Sequence, residues 1–288
     1  MPAEIHAEPA GGAVDLAECI ARLDERGVDL AQPEGVAAAA TLLARLSLDR
    51  TFLIDFALAE LKDHCAGQQS ANRYNAQVLL LHRAPGRHLL RANFWPGADD
   101  AILAASGRAQ YFYDVPHDHN FAFLTLGYMG PGYGSRWYEQ DVEQTAGYPG
   151  EPVALRLTEE GRLHAGRLLH YRAGQDVHDQ LPPESLSVSI NIIPETPGTV
   201  WRNQHIFDLD HGRVARMPTL SGSEILLRIA GTLGGGNGHD VAQHIARSHP
   251  LPRVRWHGWR ALAAAAGCAQ GRHAVMLEAN SDLSPLVK

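Results

Sequence analysis

Two histidines one residue apart, His117 and His119, lie in the stretch YDVPHDHNF. On a β-strand the side chains at positions i and i+2 point to the same face, so both imidazoles could hold one metal ion. The same alternation turns Asp118, which lies between them, away from the ion. Because the chain has 16 histidines, a pair of this kind also arises by chance. A metal site therefore needs a third ligand from another segment.

The best candidate for the third ligand is His178, which follows the apolar run RLLHYR and a turn that contains glycine. His170, inside that run, is the reserve candidate. Three neutral imidazoles leave a divalent ion with its full charge and with open positions, and they suit iron, zinc, copper and nickel alike. At iron, a substrate and O2 could bind together, whereas zinc would hold a water that acts as a hydroxide nucleophile.

Other side chains could act beside the ion. In the run SRWYEQD, either Tyr138 or Glu139 faces inward, and a register slip of one residue exchanges the two faces. An inward Glu139 could be a fourth ligand or a base, and an inward Tyr138 could donate a proton. Arg172 could clamp a substrate carboxylate through paired hydrogen bonds. Each of these three residues also fits an ordinary strand position exposed to solvent. Gln180 and Asn191 are candidate hydrogen-bond partners for the second ring nitrogen of a ligand.

The hydrophobic pattern predicts the elements that must position these residues. Apolar residues at helical spacing predict a helical segment over residues 1–74 that packs on a barrel. Over 75–212, short apolar runs alternate with Gly, Pro and Asn, which predicts antiparallel strands in a metal-binding barrel. Residues 213–288 predict a C-terminal helical cap that contains a HEAT-like helix pair, and one such pair is too short for a solenoid. This pair either covers the barrel or binds a partner.

The motif and its β context resemble the cupin superfamily over roughly residues 85–205. The resemblance implies a mainly β fold with α elements, a double-stranded β-helix barrel flanked by N-terminal and C-terminal helical segments. The glutamate that cupins carry shortly after the His-x-His is replaced here by Phe123 and Leu124. That replacement resembles the three-histidine branch, which includes thiol dioxygenases and also carries His-Asp-His. The resemblance assigns the ligand role to three residues: His117, His119 and His178.

The resemblance implies a mononuclear non-heme iron(II) oxygenase that acts on a small polar substrate with O2. The substrate could be an amino acid, a thiol or a peptide-like molecule, and zinc, manganese or nickel could replace Fe(II). Two other functions stay open. One is a cupin metalloenzyme that uses another divalent metal as a Lewis acid in isomerase, lyase or hydrolase chemistry. The other is a non-catalytic metal- or ligand-binding protein with a partner-binding helical cap.

Composition argues against two classes of partner. The net charge of −7, the pI near 6.1 and the lack of a dense Lys/Arg run disfavour a nucleic-acid binder. No apolar run approaches the roughly 18 residues that a membrane span needs.

The sequence also favours one compartment. The first residues lack the apolar core of a signal peptide, and three widely spaced cysteines fit a reducing compartment. We therefore expect a cytoplasmic protein, with a homodimer possible because barrels of this kind often pair through edge strands.

Overall fold

The computed structural model describes residues 1–141, 145–196, 199, 202–219 and 222–288. The chain divides into two compact units. The first, the barrel unit, comprises Met1–Gln140 and Ala154–Val200. The second, the C-terminal unit, comprises Asp141–Val153 and Trp201–Lys288.

Helices form the first part of the barrel unit. The Asp15 side chain caps the first helix by accepting a hydrogen bond of 2.7 Å from the Glu18 amide, which would otherwise lack an acceptor. Pro33 begins the second helix, where its missing N–H costs nothing. The four helices are α1 (Leu16–Arg26), α2 (Pro33–Ser47), α3 (Phe52–Lys62) and α4 (Ala66–Ala71).

Two antiparallel sheets build the barrel. The larger has six strands in the order β1-β7-β4-β9-β3-β2, and the smaller has the order β6-β5-β8. A short helix, α5 (Ala101–Ser106), lies between β3 and β4 in the chain. The strands are β1 (Ala3–Glu4), β2 (Val78–Ala84), β3 (His88–Trp95), β4 (Phe123–Met129), β5 (Gly134–Glu139), β6 (Arg156–Arg162), β7 (Leu168–Tyr171), β8 (Asp176–Leu181) and β9 (Ser187–Pro194).

The larger sheet is buried on both faces, because its strands carry two different sets of apolar side chains. On the outer face, Leu124 and Ile190 pack in one cluster with Leu43 and Leu46 of α2. Inside the barrel, a second cluster combines aliphatic and aromatic side chains, and its aromatic members are Trp95, Tyr111, Tyr113, Phe123, Tyr133, Trp137 and Tyr171. Each fully buried side chain of this size contributes roughly 1.5–3 kcal/mol. The predicted architecture is confirmed: two antiparallel β-sheets form the barrel, with helical segments before and after it in the sequence.

The C-terminal unit has a core of its own. Its helices enclose a cluster that includes Leu227, Val254 and Leu262. Gly258 lies where a Cβ would come within 2.9 Å of Ala246, so glycine lets the two helices that carry these residues approach closely. The elements are β10 (Ile206–Asp208), β11 (Arg213–Arg216), α6 (Gly222–Leu233), α7 (Gly235–Ser248), α8 (Pro252–Ala265) and α9 (Ala269–Ala279).

Among the helices that the structure describes, none is both long enough and apolar enough to cross a lipid bilayer.

Candidate metal centre

Three histidines from two segments converge inside the barrel unit. The Nε2 atom of His178 lies 3.0 Å from Nε2 of His119 and 3.1 Å from Nε2 of His117. Backbone pairing explains the convergence, because the amides of His117 and His178 each donate to the other's carbonyl, at 3.0 and 2.9 Å. The segment before β4 is thereby fixed to β8. The structure thus brings together the three residues that the sequence singled out.

The turn between β7 and β8 holds His119 in place as well. The Gly174 amide donates to the His119 carbonyl at 2.6 Å. Gly174 has a φ of 72°, which a residue with a side chain rarely adopts. The conformation of this turn therefore explains why a glycine precedes His178: only glycine readily adopts the backbone angle that brings the turn against His119.

Hydrogen bonds between the rings cannot account for this arrangement. Nδ1 of His117 lies 2.7 Å from the Val115 carbonyl, so it carries the proton and leaves Nε2 as an acceptor. Nε2 of His178 contacts both other Nε2 atoms, and a neutral ring nitrogen can either donate once or accept once. At most one of the two contacts is therefore a hydrogen bond. A cation between the three lone pairs would satisfy all of them together.

Protonation does not resolve the conflict either. Burial lowers the pKa of His117, and burial together with the neighbouring imidazoles lowers the pKa of His119 and His178 well below the usual range. All three rings are therefore neutral near pH 7, which is the form that binds metal ions. Metal–nitrogen bonds of about 2.0–2.1 Å at right angles would separate two nitrogens by about 2.9 Å, close to the observed spacing.

Aromatic rings form the floor of the cluster. Phe123 lies 4.8 Å from the His119 ring and stacks on Tyr171 at 4.5 Å between ring centroids. The Tyr171 ring centroid is 4.9 Å from that of His178. The hydroxyl of Tyr171 accepts a hydrogen bond of 2.7 Å from Trp137 Nε1. Burial raises the pKa of Tyr171 well above the usual range, so the phenol stays neutral. A site with this floor excludes bulk water from one side.

The register of β5 settles which residues face the cluster. Trp137 pairs with His178 across the sheet, and Tyr138 pairs with Val177. Trp137 therefore lies on the same face as His178, and Tyr138 lies on the opposite face. Consistent with this placement, the pKa of Tyr138 is raised by burial and by the nearby Asp179 carboxylate. The structure does not place Tyr138 at the three histidines.

Glu139 and Arg172 belong to a separate network of ion pairs. Arg172 Nη2 lies 3.0 Å from Glu139 Oε1 and 2.6 Å from Asp176 Oδ1. Glu139 also pairs with Arg156 at 2.6 Å, and Asp176 with the Met1 amino group at 3.2 Å. Among the described residues, no carboxylate joins the group of three histidines. The sequence pattern suggested roles at the metal for Glu139 and Arg172, but both are held in ion pairs of their own.

The remaining candidates also lie apart from the ligand nitrogens. His170, the reserve ligand, pairs with Leu124 across the sheet. Leu124 packs towards the helices, so His170 also lies on the outer face of the larger sheet, away from the barrel interior.

The other polar candidates form hydrogen bonds elsewhere. Asn191 accepts a hydrogen bond from Thr125 at 2.7 Å. Gln180 hydrogen bonds with Tyr133, and Asp118 accepts from Gln140 at 3.0 Å. Among the described residues, Nδ1 of His178 has no hydrogen-bond partner, so neither amide binds it.

One residue of the site was missed at the sequence level. Arg91 on β3 is only 8% exposed, and its guanidinium lies 4.6 Å from the Tyr74 ring centroid. Its Nε has no hydrogen-bond partner within the described part of the chain, and its charge contributes to the low pKa of His119. The signal was present in the run HLLRANFW, where a charge interrupts a strand that is otherwise mostly apolar. The Tyr74 hydroxyl hydrogen bonds with the guanidinium, but no carboxylate among the described residues pairs with it. A buried cation without a counterion calls for an anionic ligand.

A cavity of about 500 Å³ reaches Phe121, which is next to the cluster, but none of the three histidines lines it. Phe121 lines it and lies 5.0 Å from the His119 ring, and Tyr74, which covers Arg91, lines it too. This volume is within the usual range for small-molecule sites, roughly 300–1,000 Å³. Its other lining residues include Arg83, Leu89, Asn120, Ile193, Glu195 and Thr199.

Comparisons with known proteins add solved structures of low similarity. No family model matches the chain, and no curated protein matches it in sequence. Hydroquinone 1,2-dioxygenase from Sphingomonas sp. TTNP3, with 4-hydroxybenzoate bound, is 9% identical, over 45% of this chain and 71% of that chain, with a TM-score of 0.29. A protein with a cupin-2 domain from Shewanella frigidimarina is 10% identical, over 46% and 91%, with a TM-score of 0.24. The DMSP lyase DddQ from Ruegeria pomeroyi is 8% identical, over 67% and 77%, with a TM-score of 0.25. Similarity this low supports no statement about the activity of this chain.

Proposed function

We propose that this protein is a mononuclear non-heme iron(II) oxygenase that acts on a small anionic substrate. The observation that carries the proposal is the set of three neutral imidazoles whose Nε2 atoms meet at 3.0 and 3.1 Å and cannot all be hydrogen bonded to one another. The residues His117, His119 and His178 would hold the ion. Bound iron would supply the chemistry by which O2 oxidises the substrate.

The residues around the histidines would bind and position the substrate. Arg91 would bind its anionic group, because a guanidinium forms two parallel hydrogen bonds to a carboxylate. Phe121 and Phe123 would pack against its apolar part, and the cavity beside them would admit it. A carboxylate on the substrate fits an amino acid or a related thiol or peptide. The thiol dioxygenases act on one such class of substrate, and no contact among the described residues of the site selects sulfur.

The same three imidazoles support a second candidate, a Lewis-acid enzyme that uses zinc, manganese or nickel. Imidazole nitrogens bind these ions as well as iron, so the ligand set by itself does not choose between oxidation and isomerase, lyase or hydrolase chemistry. Consumption of O2 distinguishes the two, since only the oxygenase requires it.

A partner-binding role has one observation in its favour. Four large apolar side chains of α6 are at least half exposed, which is more than solitary surface residues explain. They are Ile225, Leu226, Ile229 and Leu233. This role would belong to the C-terminal unit and is compatible with an enzymatic barrel.

The test is reconstitution with Fe(II) without oxygen, followed by metal analysis and O2-electrode measurements with a panel of small carboxylates. We expect His178→Ala and His117→Ala to lose one equivalent of iron while circular dichroism stays unchanged. The control is His164→Ala, which removes an exposed histidine of the same unit and should retain the iron. If His178→Ala holds as much iron as the wild type, the proposed centre is wrong. If iron binds but no carboxylate elicits O2 uptake, the Lewis-acid alternative is favoured.

A further inference from the structure

A second cluster of potential ligands lies on the outer face of the barrel. Asp24 comes from α1, His82 from β2 and His88 from β3. His82 pairs with Leu90 across the hairpin, and Leu90 belongs to the cluster beneath the helices, so His82 faces the helices and not the barrel interior. Helix α1 thus presents a carboxylate to two imidazoles of the hairpin.

The three side chains meet around one carboxylate oxygen. Asp24 Oδ1 is 3.3 Å from Nε2 of His82 and 3.4 Å from Nε2 of His88. All three ligand atoms lie within 4.8 Å of one another. For metal–ligand bonds of about 2.0–2.1 Å, the edge of a coordination tetrahedron is about 3.3 Å. The two measured separations therefore have the spacing that a tetrahedral ion would impose.

Ordinary hydrogen bonding explains only part of this cluster. His82 Nε2 is within hydrogen-bonding distance of Asp24, but His88 is fully buried and neither of its ring nitrogens has a hydrogen-bond partner among the described residues. Leaving a buried polar group unsatisfied costs about 1–3 kcal/mol. The nearest cation, Arg87, donates to the Asp24 carbonyl and keeps its Nη1 3.8 Å from the carboxylate. Nε2 of His88 therefore lies 3.4 Å from the Asp24 carboxylate without a hydrogen bond to it, and a ligand for this nitrogen is missing among the described residues.

We propose that Asp24, His82 and His88 form a second metal site that binds a divalent transition-metal ion of the zinc type. Two imidazoles and one carboxylate suit zinc, cobalt and nickel, and a water would complete the coordination. The site is structural. It joins α1 to the β2–β3 hairpin, and Asp24 and His82 are 58 residues apart in the chain. Metal held there stabilises the docking of the helix because it binds the folded arrangement only.

The experiment measures Zn²⁺ binding and thermal unfolding for the full chain. Asp24→Asn and His82→Gln are suitable variants because both side chains are partly exposed, so the fold should tolerate them better than a change at the buried His88. We expect each to lose one zinc equivalent, or to bind it at least tenfold more weakly, since even outer partners of metal ligands are worth 10–100-fold in affinity. We also expect zinc to raise the melting temperature of the wild type more than that of either variant.

Two controls separate this site from the barrel site. His164→Gln should bind as much zinc as the wild type. His119→Ala should lose a different equivalent and keep the one that Asp24→Asn loses. The proposal is overturned if Asp24→Asn and His82→Gln bind the same number of zinc equivalents as the wild type with the same affinity. An Asp24→Asn variant that is less stable but shows an unchanged response to zinc would also overturn it, because the cluster would then be only a hydrogen-bonded contact.

Discussion

Single residues show how a buried group without a partner indicates what the molecule binds. His178 has a ring nitrogen that two neighbours compete for, and Arg91 has a charge that no described side chain neutralises. Native proteins satisfy nearly all such groups, so each exception needs an explanation. Here the two exceptions are linked through His119, which contacts His178 at 3.0 Å and whose pKa the charge of Arg91 helps to lower. A metal ion and an anion would satisfy them.

The Arg91 side chain should decrease the stability of the ligand-free protein. Arg91→Met keeps most of the length and removes a buried cation whose Nε is unsatisfied. We expect the free energy of unfolding to rise by about 1–3 kcal/mol, as the desolvation cost of the group is relieved. Urea unfolding of the metal-free protein measures it.

The same variant should lose recognition of carboxylates. Binding of small carboxylates should weaken on the order of 100-fold or more, while the iron content stays at the wild-type level. Arg83→Met is the matched control, because Arg83 lines the cavity but is paired with Glu195 at 2.7 Å, whereas Arg91 lies against Tyr74, which lines the cavity. A destabilised Arg91→Met variant with unchanged carboxylate binding would contradict the assigned role.

At the scale of elements, some of the site could be predicted from sequence and some could not. Alternation along a strand predicted that His117, His119 and Phe123 share one face, and their rings do meet, with centroids 4.8 Å apart from 117 to 119 and from 119 to 123. The strand itself was predicted too early, because β4 begins only at Phe123. The orientation of β5 was not predictable. Its pairing with β6 shifts between Trp137 and Tyr138, and only contacts with β8, far away in the chain, fix the face. Likewise, Arg172 was a plausible clamp until the fold placed Asp176 next to it.

An ion pair between α8 and the segment that follows α9 offers a test of electrostatics in the C-terminal unit. Arg255 Nε and Nη2 donate to the two oxygens of Asp282 at 2.7 and 2.8 Å, and these bonds hold the pKa of Asp282 below its usual range. The charged carboxylate therefore stabilises the folded state above its ordinary pKa of about 3.9, and this contribution is lost as the pH falls through the lowered pKa.

Substitution of Asp282 should change this pH dependence. We expect Asp282→Asn to lower the free energy of unfolding by about 1 kcal/mol near pH 7, because the pair is only partly buried, and to change it much less below pH 3. Denaturant unfolding from pH 2.5 to 7 measures the difference from the wild type. A constant difference over that range would show that the charge of Asp282 is unimportant.

For the whole molecule, the chemistry is concentrated in one of its two units. Both candidate clusters of metal ligands belong to the barrel unit, and the described residues of the C-terminal unit supply none. Its core, which includes Leu227, Val254 and Leu262, is separate from the core of the barrel. The proposed function thus rests on the central part of the sequence, whereas the helical pattern of residues 213–288 left two roles open, a cover for the barrel and a partner-binding surface.

Metal removal should therefore act on one unit only. A ligand that binds only the folded state, at 100 times its dissociation constant, adds about 2.7 kcal/mol of stability. We expect chelation to increase hydrogen–deuterium exchange in peptides from β4 and β8 and to leave peptides from α7 and α8 unchanged. Mass spectrometry of the loaded and chelated protein measures this, and an equal increase in both units would contradict the expected independence.

The paired amides of residues 117 and 178 join the segment before β4 to the smaller sheet and at the same time set the spacing of two imidazoles. One pair of backbone hydrogen bonds therefore constrains both the architecture and the ligand set. An insertion between 117 and 119 would move the ring of His119 relative to the paired amides, so the length of this short segment is tied to the geometry of the three nitrogens, whereas loops without ligands carry no such restriction.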